Sequence, residues 1–552
     1  MYRIVIGLCS MLFCASLSFA QSSAPENWFN LDQSSNGVPG VSTERMYESL
    51  LKGKSSETVV VAVIDSGVDP DHEDLKDVMW VNEGEIPGNG IDDDGNGYVD
   101  DVHGWNFIGG KKGNVHHETL EVTRLVRKYR KMFDGKDVES LSKKDKKMYD
   151  KFKEMEKVIT DKKGSLDQQM QGMQNFLDGL TKLKEAVGSD EVTVEALQGL
   201  ELEDEDIQKR RDQIVGILNS QGISYDDLKE NVKGGMEYTK NQADYYYNED
   251  YDPRNVVGDN YLDSYQKSYG NNDVQGPDAG HGTHVAGIIG AIRNNDTGIK
   301  GVADNIRIMS VRAVPDGDER DKDVANAIIY AVDNGATIIN MSFGKSYGWD
   351  KGAVDKAVKY ATKNDVLLVH AAGNDGKNTD FANNFPNDKF AKKGLFGPKE
   401  AKTWLEIGAL TWRGGEDAPA GFSNYGKENV DLFAPGYQIL STTPDQGYQK
   451  FSGTSMAAPV TAGVAAVLRS YFPKLSATQI KEILMQSTII NNDMVNKPGG
   501  DGKIKFSELS KTGGVVNAYK AVKIAEKTQG KRKKKFQKAA SSKAKAKEPA
   551  RA

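Results

Sequence analysis

Three residues of this chain have the types and settings that acyl transfer requires. Asp65 ends the β-branched run from Val59 and is followed by Ser66-Gly67. His281 heads an apolar helical pattern in His281-Gly282-Thr283-His284-Val285-Ala286-Gly287, and Ser455 heads another in Gly453-Thr454-Ser455-Met456-Ala457-Ala458-Pro459. A serine hydroxyl is a weak nucleophile until a base takes its proton, and a histidine can do so because it titrates near neutrality. A carboxylate on the far ring nitrogen fixes the tautomer and stabilises the imidazolium that forms. Taken alone, an aspartate at a strand end is a turn residue and a serine before an apolar helix is an N-cap. Taken together, the three stand where open α/β sheets build their sites, at carboxyl ends of strands and adjoining helix N-termini.

The order Asp…His…Ser and the three nearly unbroken motifs resemble the subtilisin-like serine proteases, the subtilase or peptidase S8 family, over roughly 27–110 and 250–525. The resemblance implies a serine endopeptidase that cleaves polypeptides through an acyl-enzyme, with Asp65, His281 and Ser455 as its triad and His284 structural. It also assigns Asn374, in Ala371-Ala372-Gly373-Asn374, to the oxyanion hole beside the Ser455 N–H, with Thr454 in support. Asn340-Met341-Ser342-Phe343-Gly344 matches the segment that pairs with an extended substrate. Ser342, Phe343, Gly344 and Gly373 are the expected substrate-binding residues, and Val311 to Asp318 the opposite edge.

A second chemistry lies in Ile91-Asp92-Asp93-Asp94-Gly95-Asn96-Gly97-Tyr98-Val99-Asp100-Asp101. Asp92, Asp94, Asn96, Tyr98 and Asp100 fall at alternate positions of an EF-hand-like loop with a turning glycine at Gly97, the pattern a hard cation such as Ca²⁺ favours. The pattern departs at its last position, where His103 replaces the bidentate glutamate and Asp101 is the substitute. By resemblance, Asp74 and Asn295 form a second calcium site.

These groups need a frame. Short apolar runs (Thr58 to Ile64, Thr337 to Asn340, Val366 to Val369, Trp404 to Leu410) alternate with helical patterns (Gly282 to Ile292, Val324 to Asn334, Asp350 to Lys363, Met456 to Ser470). Such alternation predicts an α/β fold, a doubly wound and mostly parallel sheet. Between its halves, 111–250 is rich in Lys, Glu and Asp. Three/four spacing of Leu166, Met170, Met173, Leu177, Leu180 and Leu183 predicts a large α-helical insertion with its own small core. Ser224 with Asp227 predicts a capping box. The expected division is a signal peptide at 1–20, catalytic parts at 21–110 and 251–525, the insertion at 111–250, and a basic low-complexity tail at 526–552.

With 552 residues, 38% hydrophobic and 27% charged, the chain exceeds one ordinary core. Its net charge is −7, but 531–552 holds ten Lys/Arg against one Glu, which leaves −16 for the rest. An acidic body argues against nucleic-acid binding. Arg3, the apolar stretch Ile4 to Phe19 and Ser18-Phe19-Ala20 read as a cleavable export signal, directing the chain to a periplasm, a cell surface or the medium. Both cysteines, Cys9 and Cys14, lie inside it, and no later apolar run is long enough to span a bilayer. Two departures from the family pattern stand out. Asp65 and His281 are 216 positions apart, and too few residues follow Gln21 for an independent N-terminal prodomain. The competing reading is a non-catalytic subtilase scaffold whose helical insertion is a binding module.

Overall fold

Val59–Asp65 (β1) is apolar up to its last residue because both of its faces are covered, and all seven residues are buried. In the computed structural model, which describes residues 23–391 and 397–533, β1 lies inside a nine-stranded sheet. The expected signal peptide with its two cysteines and residues 534–552 of the basic tail fall outside the described residues. The other strands are β2 (Gly104–Asn106), β3 (Ile306–Arg312), β4 (Ile338–Met341), β5 (Leu367–Ala371), β6 (Trp404–Leu410), β7 (Leu432–Pro435), β8 (Ile489–Ile490) and β9 (Gly514–Val515). Their order across the sheet is β8-β9-β7-β6-β5-β4-β1-β3-β2. Every pairing is parallel except β8 with β9. The α/β, mostly parallel, doubly wound architecture expected from the sequence is therefore the one observed.

Alternate residues of β1 feed two cores. Val59, Val61 and Val63 join one apolar cluster, and Val60, Ala62 and Ile64 join the other. Strand β1 pairs with β3 on one side and β4 on the other. Its carboxyl end is thus the switch point where chain order reverses and a crevice opens.

The helices include α1 (Glu121–Phe133), α2 (Lys143–Val187), α3 (Glu205–Gln221), α4 (Tyr225–Asn241), α5 (Gly280–Gly290), α6 (Asp321–Asp333), α7 (Lys351–Lys363), α8 (Thr454–Tyr471), α9 (Ala477–Gln486) and α10 (Ala518–Ala525). Helices α5, α8, α9 and α10 pack on one face of the sheet, and α6 and α7 on the other. The segment before β1 also belongs to this body. Trp28, Phe29, Val41 and Met46 are buried with α8 and α10, and Asn517 Nδ2 donates to Ser42 Oγ at 2.7 Å.

Helices α1 to α4 form the insertion, and at about 1.5 Å per residue the 45-residue α2 is about 68 Å long. Both bonds of the expected capping box at Ser224 and Asp227 are present. The expected single small core is instead two clusters. Val126 and Phe133 of α1 and Phe152 and Ile159 of α2 pack with Tyr347 and Trp349 of the sheet-bearing body. Leu180, Leu183, Leu197, Ile214 and Leu218 form a second cluster drawn wholly from the insertion. One uninterrupted helix joins them, and Lys143–Val187 contains no proline to break it.

Candidate active site

Helix α5 begins against the end of β1, an approach only glycine permits. A Cβ on Gly282 would stand 2.0 Å from the Gly67 carbonyl oxygen. The contact sets His281, second residue of α5, over Asp65, and His281 Nδ1 donates to Asp65 Oδ1 at 2.7 Å. The same oxygen accepts the Ser66 N–H at 2.8 Å, while Oδ2 is buried without a hydrogen-bond partner. Burial disfavours the His281 imidazolium, but the charge and hydrogen bond of Asp65 outweigh it, with Asp278 adding to them. The histidine therefore titrates above its ordinary value. Arg312, the last residue of β3, steadies the end of β1 by donating to the Ser66 carbonyl at 2.7 Å.

Ser455 is the second residue of α8, and its backbone N–H is among those left free at a helix start. Its Oγ donates to the Ser342 carbonyl at 3.0 Å rather than to His281. Ser342 Oγ returns a 2.8 Å bond to the Ser455 carbonyl, so the segment just after β4 and α8 are laced together at Ser455. The Asn374 side-chain oxygen accepts from Thr454 N at 2.8 Å and Thr454 Oγ1 at 2.9 Å. Thr454 Oγ1 in turn accepts the Gly373 N–H at 3.0 Å. With its oxygen held, Asn374 has only its amide nitrogen to offer, beside Ser455 at the rim of one cavity. Gly373 supplies the turn at a φ of +100°.

His284 has a different setting. It is fully buried, its Nε2 donates to the carbonyls of Ile439 and Gln449 at 3.0 Å each, and burial pushes its pKa down to about 3. It stays neutral and braces the hairpin Ile439–Thr443/Gly447–Phe451 against α5.

Two hollows flank Ser342. One, of about 250 Å³, is lined by Asp65, His281, His116, Arg312, Pro315 and Asp316. The other, of about 340 Å³, is lined by Ser455, Asn374, Gly373, Phe343, Gly344, Glu319 and Lys345. Ser342, Phe343, Gly344 and Gly373 thus all border the crevice. The opposing segment around Asp316 is backed by the insertion's base. Glu118 N donates to the Asp316 carbonyl, Asp316 N to the His116 carbonyl, and Tyr246 and His117 hold the two Asp316 carboxylate oxygens.

The acidic loop differs from the EF-hand spacing. Asp92 and Asp94 converge, and the third acid is Glu85, with ligand oxygens all within 4.8 Å. Asp100 is drawn off the loop, its oxygens accepting the N–H groups of Gly88, Asn89 and Gly90. Tyr98 sends its ring into the core against Trp105 and Tyr330. Asn96 bridges Asp94 and Asp101, and burial pushes the Asp101 carboxyl up to about 6. Three hard carboxylates close together suit a cation with many oxygen ligands, so the donor set fits Ca²⁺. No motif spacing points to Glu85, because it precedes the loop. The second expected site reads otherwise. Asn295 faces Asp74 with its amide nitrogen, and Ile299 N and Tyr448 OH fill the other Asp74 oxygen. As placed, this pair ties loop 294–298 to the 72–75 turn.

Residues 56–513 match the family model described as the subtilase family. A thermophilic serine proteinase of Bacillus sp. (strain AK1) is 42% identical over 191 residues, 34% of this chain and 42% of that protein. Thermitase of Thermoactinomyces vulgaris is 37% identical over 244 residues, 44% of this chain and 75% of that one. The cell wall-associated protease of Bacillus subtilis (strain 168) is 33% identical over 271 residues, 47% of this chain and 28% of that one. Two of these three relatives are therefore matched over less than half of their own length. Among solved structures, a cold-adapted subtilisin-like serine proteinase aligns at a TM-score of 0.34 and 31% identity, over 45% of this chain and 78% of that one.

Proposed function

The chain belongs to the subtilase family, and from that premise we propose that it is an exported serine endopeptidase with Asp65, His281 and Ser455 as its triad. The observation that supports the reading is the 2.7 Å His281–Asp65 hydrogen bond, taken with the place of Ser455 at the start of α8, where it lines a hollow with Asn374. In the reaction, a polypeptide lies extended between the 342–344 segment and the segment around Asp316. Rotation about the Ser455 side-chain bond moves Oγ from the Ser342 carbonyl toward His281 Nε2, a change between staggered rotamers that substrate binding can drive. His281 takes the hydroxyl proton as Oγ attacks the scissile carbonyl, and Asp65 stabilises the imidazolium. The carbonyl oxygen, now an oxyanion, receives the Asn374 amide and the Ser455 N–H. His281 passes its proton to the leaving amine, and water then cleaves the acyl-enzyme by the same route. Calcium bound by Glu85, Asp92 and Asp94 would hold the 84–101 loop, supplying structure rather than chemistry.

The test is covalent. A fluorophosphonate should label the purified chain, and Ser455→Ala should abolish both labelling and casein hydrolysis. The expected fall in kcat is about a millionfold, the size known for the triad serine of subtilisin itself. A folded wild-type chain that neither labels nor cleaves casein overturns the reading and leaves the scaffold alternative.

A further inference from the structure

The hollow beside Ser455 contains a charge arrangement that the triad does not use. Lys345 and Glu319 both line it, and both are buried, at 5% and 2% exposure. The Lys345 ammonium donates to Glu121 Oε2 at 2.7 Å and to the Glu319 backbone carbonyl at 2.6 Å, and it forms an ion pair with Asp321 Oδ1 at 2.8 Å. Its charge is shared by two carboxylates, neither of them that of Glu319. The neighbouring guanidinium of Arg124 bonds Glu121 and the Glu319 backbone carbonyl, and that of Arg320 is bound to Glu118 and Asp252. The Glu319 side chain is left over, its Oε1 buried with no hydrogen-bond partner.

The carboxyl receives a hydrogen bond from its own backbone N–H but none at Oε1, and a buried carboxyl oxygen without a donor is costly, because the water it gave up is not replaced. Burial first, with Asp318 and Asp321 adding to it against Lys345, pushes the Glu319 carboxyl up to about 8. The group is short of one cation, and the hollow it borders opens at the nucleophile.

Resting on the peptidase reading above, we propose that this hollow receives a basic side chain, the lysine or arginine whose carbonyl Ser455 attacks, and that Glu319 is the residue that selects it. The incoming ammonium or guanidinium supplies the missing donor and counter-charge. Glu319 gives its proton to solvent and the ion pair forms out of water, where such a pair is strong. An acidic side chain meets a carboxyl instead, because the Lys345 ammonium is already held by Glu121, Asp321 and the Glu319 backbone carbonyl. A neutral one leaves Glu319 unpaired. A site that must satisfy a buried polar group discriminates more sharply than one that merely accommodates shape.

The experiment compares four peptides that differ only in the residue before the scissile bond: lysine, its uncharged isostere norleucine, glutamine and glutamate. In the wild-type chain, kcat/KM for lysine should exceed that for norleucine by at least about tenfold, a difference of about 1.4 kcal/mol, with glutamate the poorest. In Glu319→Gln the lysine-to-norleucine ratio should fall to within about twofold. Equal turnover of lysine and norleucine by the wild type overturns the inference whether or not the variant folds. So does a preference for glutamine, which would mean a protonated Glu319 donating to a carboxamide, and so does a lysine preference that survives in Glu319→Gln. If the folded wild type cleaves none of the four peptides, nor casein, the peptidase reading itself fails. Cleavage of all four without preference fails the inference alone.

Discussion

All seven residues of β1 are buried, whereas only seven of the 45 residues of α2 are. The sheet presents two faces to two helical layers, and a residue at its centre has neighbours on every side. The arm presents one stripe to a few partner helices and the rest to water. Its distal cluster contains no residue from outside the insertion. Precision is therefore concentrated where the proposed chemistry is. Asp65, His281, Ser455 and Asn374 stand on ends of elements fixed by the sheet, and the arm can open locally without moving them.

The comparison is broken most severely from the catalytic side. Asn374→Ala removes the proposed oxyanion donor and should leave the fold and the proposed triad in place. The expected loss is about 10²–10³ in kcat, the magnitude known for this donor in subtilisin itself. Substrate KM should change little, and steady-state kinetics beside a melting curve check both.

Leu183→Ala probes the other region. Leu183 is fully buried in the distal cluster, and truncating such a leucine costs about 2–5 kcal/mol. Hydrogen exchange should quicken across 180–228 while β1, β3 and β4 keep their protection, and turnover of a short peptide should persist. Parallel loss of protection in the sheet would mean that arm and body form one cooperative unit.

The contrast also explains what could be read from the sequence. Sheet elements announce themselves because burial on both faces demands unbroken apolar runs: Trp404–Leu410 was delimited by composition alone. The residues proposed as the triad stood out for the same reason, since each ends such a run or begins an apolar helix. The insertion yielded its helical character and its cap at Ser224, but not its two-part core. Three/four spacing says which side of a helix is apolar without saying what covers it. Glu85 and Glu319 were invisible for a further reason. Each acts through neighbours distant in sequence, Glu85 with Asp92 and Asp94 across a loop and Glu319 through a shortage of cations set by Lys345, Glu121 and Asp321.

Calcium should sharpen the difference between the regions, because the proposed ligands lie in the loop that leads into β2 and not in the arm. Clustered carboxylates repel one another, and a cation that binds only the native state stabilises it by mass action, about 2.7 kcal/mol at a hundredfold excess over Kd. EDTA should lower the melting temperature of the body by several degrees, and Asp92→Ala should remove most of that response. An identical melt with and without Ca²⁺ rejects the site.

The smallest effect belongs to the seam between the two regions. Tyr246, at the end of the helical segment, donates its hydroxyl to Asp316 Oδ1, and His117 holds Oδ2 from the other flank. Burial and the Asp316 carboxylate raise the Tyr246 pKa far above its ordinary value, so the phenol remains a donor at any working pH. Asp316 in turn borders the hollow beside His281. The arm's base is thereby tied to one wall of the crevice, and a lost bond there should loosen the wall without touching the triad. Tyr246→Phe removes one hydrogen bond to a charged group, a contribution of about 1.5–3 kcal/mol when fully buried and less at this partly buried position. The expected outcome is a fall in kcat/KM of a few-fold for peptides long enough to lie along the 314–317 segment, carried mainly by KM. A single-residue chromogenic ester, which reaches only the hollow beside Ser455, should be hydrolysed at the wild-type rate. Equal losses on both substrates would mean that the arm supports the catalytic centre itself, and no loss on either would mean that the two regions meet at this seam without mechanical coupling.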